Sequence, residues 1–307
     1  MKLWLEQPFA WQEPVITEKQ AYECLNKSPL QSDVTFLSVP WAPVIDHKNF
    51  GLPKNKSKAE KFLKNLRKLS LGNSFTVCQS YRFKEITPYL RRAGIKVLFT
   101  PHATHDVPYS EGIKIESLPL FAANAVEPLE KDILYSFMGA YSEKYISTIR
   151  KKIFDGTHPD NAVVVYRKKW QFNDAVYGEQ LRGIGTNSVQ SYISDEHSKF
   201  YKNILARSRF SPCPSGMGPA SIRFFESLKA GAIPILLADT WRLPSIKGVD
   251  WEKCTLKIPE SKYNTMHDIL RSITPKKENQ MRHLCTKAYK QVSEKNFIKC
   301  IRNYYGE

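Results

Sequence analysis

At 307 residues the chain is too long for one small core and comfortable for two domains of about 150 residues each. Its 42% hydrophobic and 12% aromatic content excludes intrinsic disorder, and no apolar run approaches the length of a membrane-crossing helix. The formal net charge of +16 suits nucleic acid, an anionic membrane surface or a phosphorylated substrate, and selects none of them.

Met1–Gln7 is too short and too polar for a signal peptide, so a soluble, cytoplasmic protein is expected. Cys24, Cys78, Cys213, Cys254, Cys285 and Cys300 are scattered without a Cys-x-x-Cys pair, which reads as buried free thiols in a reducing compartment. The first 30 residues are polar and helix-like. Ser32-Asp-Val-Thr-Phe-Leu-Ser-Val-Pro-Trp41 then reads as a buried strand with a proline stop, and the loop after it holds Asp46 and His47. A lysine-rich helix follows over residues 56–70, with Phe62, Leu66 and Leu69 on its apolar face. Its lysines form either a solvated outer face or a docking face for anionic lipid.

Residues 74–79 make a second strand, residues 83–93 a helix closed by Gly94, and residues 95–100 and 113–119 two further strands. Strands alternating with helices imply a parallel sheet covered on both faces. The loop Thr100-Pro-His-Ala-Thr-His-Asp-Val-Pro108 places His105 and Asp106 at a strand's carboxyl end, a position suited to proton transfer. A plain polar turn capped by Asp106 is the alternative, and His102 with His105 lacks a third ligand for zinc.

The polar stretch 124–131 marks a boundary between residues 1–125 and a second domain, 126–285, leaving 286–307 as a terminal helical piece. The second domain begins with a strand at 133–139, a helix containing Tyr145, Ile149 and Ile153, and a strand at 162–166. Residues 167–195 read as irregular; a helix at 196–206, a strand at 254–258 and two terminal helices complete the chain. The last of these carries Met281, Leu284, Cys285, Ala288 and Val292 at helical spacing.

The stretch Arg209–Asp239 is the most specific in the chain and reads as strand, tight loop, helix, strand. Pro212 and Pro214 end its first strand, Gly216 and Gly218 relax the loop backbone, and a helix starts near Pro219 and stops at Gly231. Such a β-α-β unit leaves unpaired N–H groups and the positive helix end at the sheet's carboxyl edge, where phosphates bind. Ser221 sits in the first turn; Arg223 and Glu226, three apart, share a face. The cation suits a diphosphate and the carboxylate suits ribose hydroxyls, against the plainer reading of a packing unit with a surface ion pair.

The wording Arg209-Phe-Ser-Pro-Cys-Pro-Ser-Gly216, followed by Ser221-Ile-Arg-Phe-Phe-Glu-Ser-Leu-Lys-Ala-Gly-Ala-Ile-Pro234, resembles the donor-binding segment of the exostosin-type glycosyltransferases. The likeness continues through Asp239-Thr-Trp-Arg-Leu-Pro244 and Val249-Asp-Trp251, and more faintly in Ser32–Trp41 and His105-Asp106. Many members carry Arg where this chain has Ser215, which removes one phosphate contact. The resemblance implies an α/β protein of GT-B architecture: two Rossmann-like domains facing a cleft, acceptor side first, donor side second, and a C-terminal helix crossing back. It also implies a UDP-sugar donor and a glycan acceptor, with Gly216, Gly218, Pro219, Ala220, Ser221, Arg223 and Glu226 at the donor; Arg150, Arg167, Lys168 and Lys169 follow predicted elements of the same domain and either assist there or form a solvated surface, the latter for most of them.

Transfer to a hydroxyl with inversion needs a stabilised leaving diphosphate and a base. The chain contains no Asp-x-Asp, so Arg223 and the helix start take the diphosphate, no divalent metal is expected, and activity should survive excess EDTA. Asp106 with His105 is the expected base, Asp46 and His47 the reserve. Many eukaryotic members carry an N-terminal membrane helix, so a bacterial or viral origin, or a trimmed chain, is expected. An inactive nucleotide-sugar-binding homologue is the alternative; a basic nucleic-acid-binding protein leaves the central motif unexplained and its lysine run lacks interleaved aromatics.

Overall fold

The computed structural model describes residues 1–123, 125–184 and 196–307. Its strands form two sheets. The first runs in the order β1-β2-β3-β4-β6-β5, with β1 Lys2–Leu5, β2 Thr35–Ser38, β3 Ser74–Val77, β4 Val97–Thr100, β5 Tyr109–Ser110 and β6 Ile113–Ser117. All of its pairings are parallel except that of β5 with β6. Alternation at period two gives each strand a side for each core: Phe36, Phe75, Val77, Val97 and Phe99 enter one, Leu37 and Leu98 the other. Helix Thr17–Lys27 and the C-terminal segment supply Ala21, Leu25, Phe297 and Ile301 to the first core. Helices Trp41–Phe50, Pro53–Asn65 and Thr87–Arg92 supply Trp41, Leu63 and Leu90 to the second.

The second sheet is wholly parallel, in the order β11-β10-β9-β7-β8, with β7 Ile133–Ala140, β8 Val163–Arg167, β9 Ser208–Pro214, β10 Ile233–Leu237 and β11 Leu256–Lys257. The chain steps from β7 to β8 on one side and then to β9 on the other. The topological switch point therefore lies between β7 and β9, and ligands of such sheets collect outside the carboxyl ends of those strands. The first sheet adds β1 to β4 in monotonic order and has no equivalent crevice there.

Several local expectations change. The N-terminal segment is not wholly helical: Lys2–Leu5 pairs in parallel with β2 because Leu3 and Trp4 continue the sheet. Asp46 and His47 lie in helix Trp41–Phe50, not in a loop. That helix starts directly after Pro40 because the buried Glu18 carboxylate accepts from the Ala42 N–H at 3.1 Å, satisfying an exposed donor of the first turn from a distant part of the chain. Pro214 is the last residue of β9, but Pro212 lies inside the strand, in register with Ile235 of β10. Tyr145 precedes helix Ile149–Asp155, Trp251–Cys254 is a helical turn before the two-residue β11, and a π-helical segment, Asp174–Gln180, interrupts the stretch read as irregular. The remainder of that stretch, 185–195, lies outside the described residues.

The helix with Met281, Cys285 and Ala288 is Pro275–Lys290, so residue 286 falls inside it. It packs on the second lobe, where Arg282 donates to the Gly231 carbonyl and the Cys285 thiol to the Cys254 carbonyl. The crossing back belongs to helix Lys299–Tyr304. Tyr304 meets Phe99 edge-on at 5.5 Å, Tyr305 packs on Phe75 at 5.4 Å, and the Glu307 carboxylate accepts from the Ser32 N–H at 2.9 Å. All six cysteines are free, and all but the half-buried Cys24 are buried.

Candidate active site

The carboxyl ends of the two sheets face one another. Trp241, after β10, donates from Nε1 to the Pro101 carbonyl at 2.8 Å, and the Arg242 N–H donates to the Ala103 carbonyl at 3.0 Å. The His105 N–H reaches the Thr240 carbonyl at 3.1 Å, and the Ser117 hydroxyl donates to the Arg242 carbonyl at 2.6 Å. The loop after β4 is thus pinned to the loop after β10.

The loop 215–221 lines the cleft from the second lobe. The Ser215 N–H donates to the Leu237 carbonyl at 3.1 Å, and the Gly216 N–H folds back to the Gly218 carbonyl at 2.9 Å. Ser215, in place of an Arg, donates its hydroxyl to Glu260 at 2.9 Å; Glu260 also accepts from Ser147 and is held through its own N–H by Asp239 at 3.0 Å. Neither Gly216 nor Gly218 has a positive φ, so special backbone angles are not their purpose. Close approach is. A Cβ on Gly218 would lie 2.5 Å from His102 Nδ1 and 2.8 Å from the Tyr81 Cβ, while one on Gly216 would lie 3.1 Å from Arg150 Nη2. The helix begins at Ile222 rather than near Pro219, because Ser221 keeps an extended backbone, φ −126° and ψ 126°, as its N-cap. Pro219 and Ala220 belong to the loop.

Arg150 occupies the switch point. Its guanidinium donates to the Ser215 carbonyl at 2.8 Å, the Ala140 carbonyl at 3.2 Å and the Pro214 carbonyl at 3.3 Å, spanning the ends of β7 and β9. These contacts use three of its five donors. Burial pushes it down to about 10, with the neighbouring Arg223 adding a smaller push the same way. Arg223 lies deeper, its guanidinium 5.0 Å from the Phe137 ring and 4.7 Å from the Tyr201 ring. It donates to the Met138 carbonyl, and its Nη1 is buried without a hydrogen-bond partner. Neither guanidinium has a carboxylate within ion-pair distance among the described residues. Glu226, on the same face as Arg223, is buried; it accepts from the Tyr201 hydroxyl at 2.5 Å, and burial raises its carboxyl above the usual range. Arg167 stands half-buried at the end of β8, in register with Ala140.

The first lobe presents three candidate groups. Asp106 is exposed, and a hydrogen bond from the Thr104 side chain holds its carboxyl below its ordinary value. His105 beside it is exposed as well. His102, set aside in the sequence, is the histidine that faces the second lobe: burial pushes its imidazole down to about 4, so it is neutral, and Nδ1 is buried and unpartnered against Gly218.

Asp46 lies on the wall of a cavity of about 250 Å³ together with Phe9, Trp11, Gln12, His47 and Gln180. Desolvation raises its carboxyl to about 7 in spite of the nearby Arg82 and the Gln12 hydrogen bond. An oriented chain fixes it: Gln12 Nε2 donates to Asp46 at 3.1 Å, Gln79 Nε2 donates to Gln12 at 2.9 Å, and the Gln79 N–H donates to Glu18 at 2.9 Å. Glu18 itself is raised to about 8 by burial. Gln12, Gln79 and Glu18 carry no sequence signal of their own; only the fold brings them to Asp46. No group of three or more His, Cys, Asp or Glu side chains capable of holding a metal occurs among the described residues.

Two parallel Rossmann-like lobes with their loops meeting across a cleft define a GT-B protein. The Exostosin GT47 domain model matches residues 55–273, and the chain belongs to that family. Exostosin-1 of Drosophila melanogaster is 36% identical over 147 residues, 48% of this chain and 18% of that protein. A probable glucuronoxylan glucuronosyltransferase of Arabidopsis thaliana is 34% identical over 104 residues, 32% of this chain and 22% of its own length. The chain thus matches a quarter or less of these curated relatives. Among solved structures, a DNA-modifying beta-glucosyltransferase aligns over 98% of this chain and 99% of its own, at 11% identity and a TM-score of 0.48.

Proposed function

We propose that this chain is a glycosyltransferase that moves a sugar from a UDP-sugar to a glycan hydroxyl by single displacement with inversion. One observation carries the reading: two guanidiniums, Arg150 and Arg223, stand at the switch point of the donor lobe with spare donors and, among the described residues, no ion pair. Glu226 acts on Arg223 electrostatically, but burial pushes that carboxyl toward its neutral form, so a diphosphate between the ends of β7 and β9 would supply the better counter-charge. Leaving-group stabilisation then falls to these two residues and to the helix start at Ser221. Glu226 lies one turn along the same helix, where a carboxylate serves ribose hydroxyls once Tyr201 yields one oxygen. The family resemblance supports uridine as the base.

The acceptor base moves from Asp106 to Asp46 in this reading. A carboxyl near 7 is matched to proton abstraction at neutral pH, whereas the lowered, solvated Asp106 is the weaker base. The Asp46 cavity, walled by Phe9 and Trp11, has the mixed aromatic and polar lining that a sugar ring requires. A panel of UDP-sugars assayed for UDP release with oligosaccharide acceptors tests the proposal. Release that depends on acceptor, with inverted anomeric configuration in the product, is expected. Retained configuration would overturn the single displacement, and no release with any pair would overturn the activity.

A further inference from the structure

The charge of the chain is not explained by the cleft. Residues 53–68 carry Lys54, Lys56, Lys58, Lys61, Lys64, Arg67 and Lys68 against the single acid Glu60, six of the net sixteen charges. All seven cations are exposed, and none has a carboxylate within 4 Å among the described residues. Elsewhere Lys48, Lys114, Lys151, Lys199 and Lys229 do find such partners. Helix Pro53–Asn65 buries Ala59 and Leu63, so Lys54, Lys61 and Lys64 point outward from the opposite face, one or two turns apart, where like charges repel.

An apolar side chain turned to solvent also precedes the helix. Leu52 is 54% exposed, immediately before Pro53, whereas Phe50, 41% exposed, has the Arg82 guanidinium 4.6 Å over its ring and meets Tyr177 edge-on at 6.3 Å. The same end of the helix reaches the Asp46 cavity through Asn55, and the Lys58 ammonium lies 4.9 Å over the Phe9 ring that lines it.

We infer that helix Pro53–Asn65 docks the first lobe on an anionic lipid bilayer, with Leu52 entering the headgroup boundary and the lysine face lying on the lipid phosphates. A row of cations without ion pairs beside an exposed apolar side chain is the combination that an anionic interface rewards. An extended acidic polysaccharide would use the cations but gain nothing from Leu52. Docking in this orientation sets the Asp46 cavity close to the surface, where an acceptor presented by the bilayer would enter. The inference rests on this face alone and stands independently of the donor-site reading.

Co-sedimentation of the full chain with phosphatidylcholine vesicles, with and without a third of phosphatidylglycerol, tests it. Binding is expected only to the anionic vesicles and should fall steeply with salt. Neutralising Lys54, Lys61 and Lys64 together to Gln should weaken it about 100-fold, roughly five-fold per cation near the surface. Leu52→Gln should weaken vesicle binding while leaving retention on immobilised polyglucuronate unchanged. Neutralising Lys276, Lys277 and Lys287 on helix Pro275–Lys290 should alter neither. Absence of binding to anionic vesicles, an equal loss from the Lys276, Lys277 and Lys287 set, or binding to polyglucuronate alone would overturn the assignment. All of these substitutions lie on exposed positions, and an unchanged thermal midpoint confirms that the fold is intact.

Discussion

Replacing Gly218 by Ala probes the point where the two lobes touch at the donor loop. The added Cβ would meet His102 Nδ1 at 2.5 Å, His102 Cε1 at 2.9 Å and the Tyr81 Cβ at 2.8 Å. Rotating the imidazole relieves the first two contacts but not the third, since the Tyr81 Cβ is fixed to its backbone. The loop after β3 and the donor loop must therefore separate. Overpacking of this kind costs about 1–3 kcal/mol. At about 2–4 °C per kcal/mol for a chain somewhat smaller than this one, the thermal midpoint should fall by several degrees. Displacing loop 215–221 should also shrink the upward shift of the midpoint that saturating UDP produces. Gly72→Ala is the control: nothing lies within 4 Å of its added Cβ and its φ is not positive, so its midpoint should hold or rise slightly. A wild-type midpoint and an undiminished UDP shift in Gly218→Ala would refute the contact between the lobes as described.

Glu226→Gln should lower UDP affinity while keeping an acceptor for the Tyr201 hydroxyl, which makes it a cleaner test than Glu226→Ala; unchanged affinity by calorimetry removes Glu226 from the donor site. For Asp46 as base, kcat/KM should rise with pH through about 7, and Asp46→Asn should cost about 10²–10⁴ in rate while Asp106→Asn stays near normal. The reverse ranking would return the role to Asp106. Glu18 has its folded-state carboxyl raised to about 8 from an ordinary value of 4.5. Between those values the unfolded chain has lost the proton and the folded chain retains it, so stability present below 4.5 is lost as pH rises through about 8. Glu18→Gln should flatten that slope in denaturant titrations across the window, and an unchanged slope would assign it to other groups.

The fold was legible wherever one period ruled. The buried runs of β3, β4, β7 and β10 and the stop at Gly231, at a φ of +63° that favours glycine, follow from local pattern, whereas the lysine-rich helix starts at Pro53 and ends at Asn65, burying Ala59 and Leu63 and leaving Leu69 outside it. The donor loop was legible from its wording, yet its mechanics were not: Gly218 serves a neighbour 116 positions away in sequence, His102, and no local pattern announces it. Helix Trp41–Phe50 was misread as a loop for the same reason, its first-turn N–H being satisfied by Glu18. His105 and Asp106 stood out in sequence because they are adjacent and polar, which is also why they are solvated. His102 and Asp46 were less conspicuous, and what distinguishes them is desolvation, a property of the assembled lobes.

The pairing of Arg150 and Arg223 with a diphosphate is tested most directly by calorimetric titration of UDP and of uridine into the wild type and into Arg223→Met, with circular dichroism to establish that the variant is folded. Wild-type protein should bind UDP far more tightly than uridine, and the variant should lose about 10–100-fold in UDP affinity, as expected for charge-assisted hydrogen bonds, with uridine binding little changed. Equal affinity for UDP and uridine in the wild type, or an unaltered UDP affinity in Arg223→Met, would contradict a diphosphate site at the switch point.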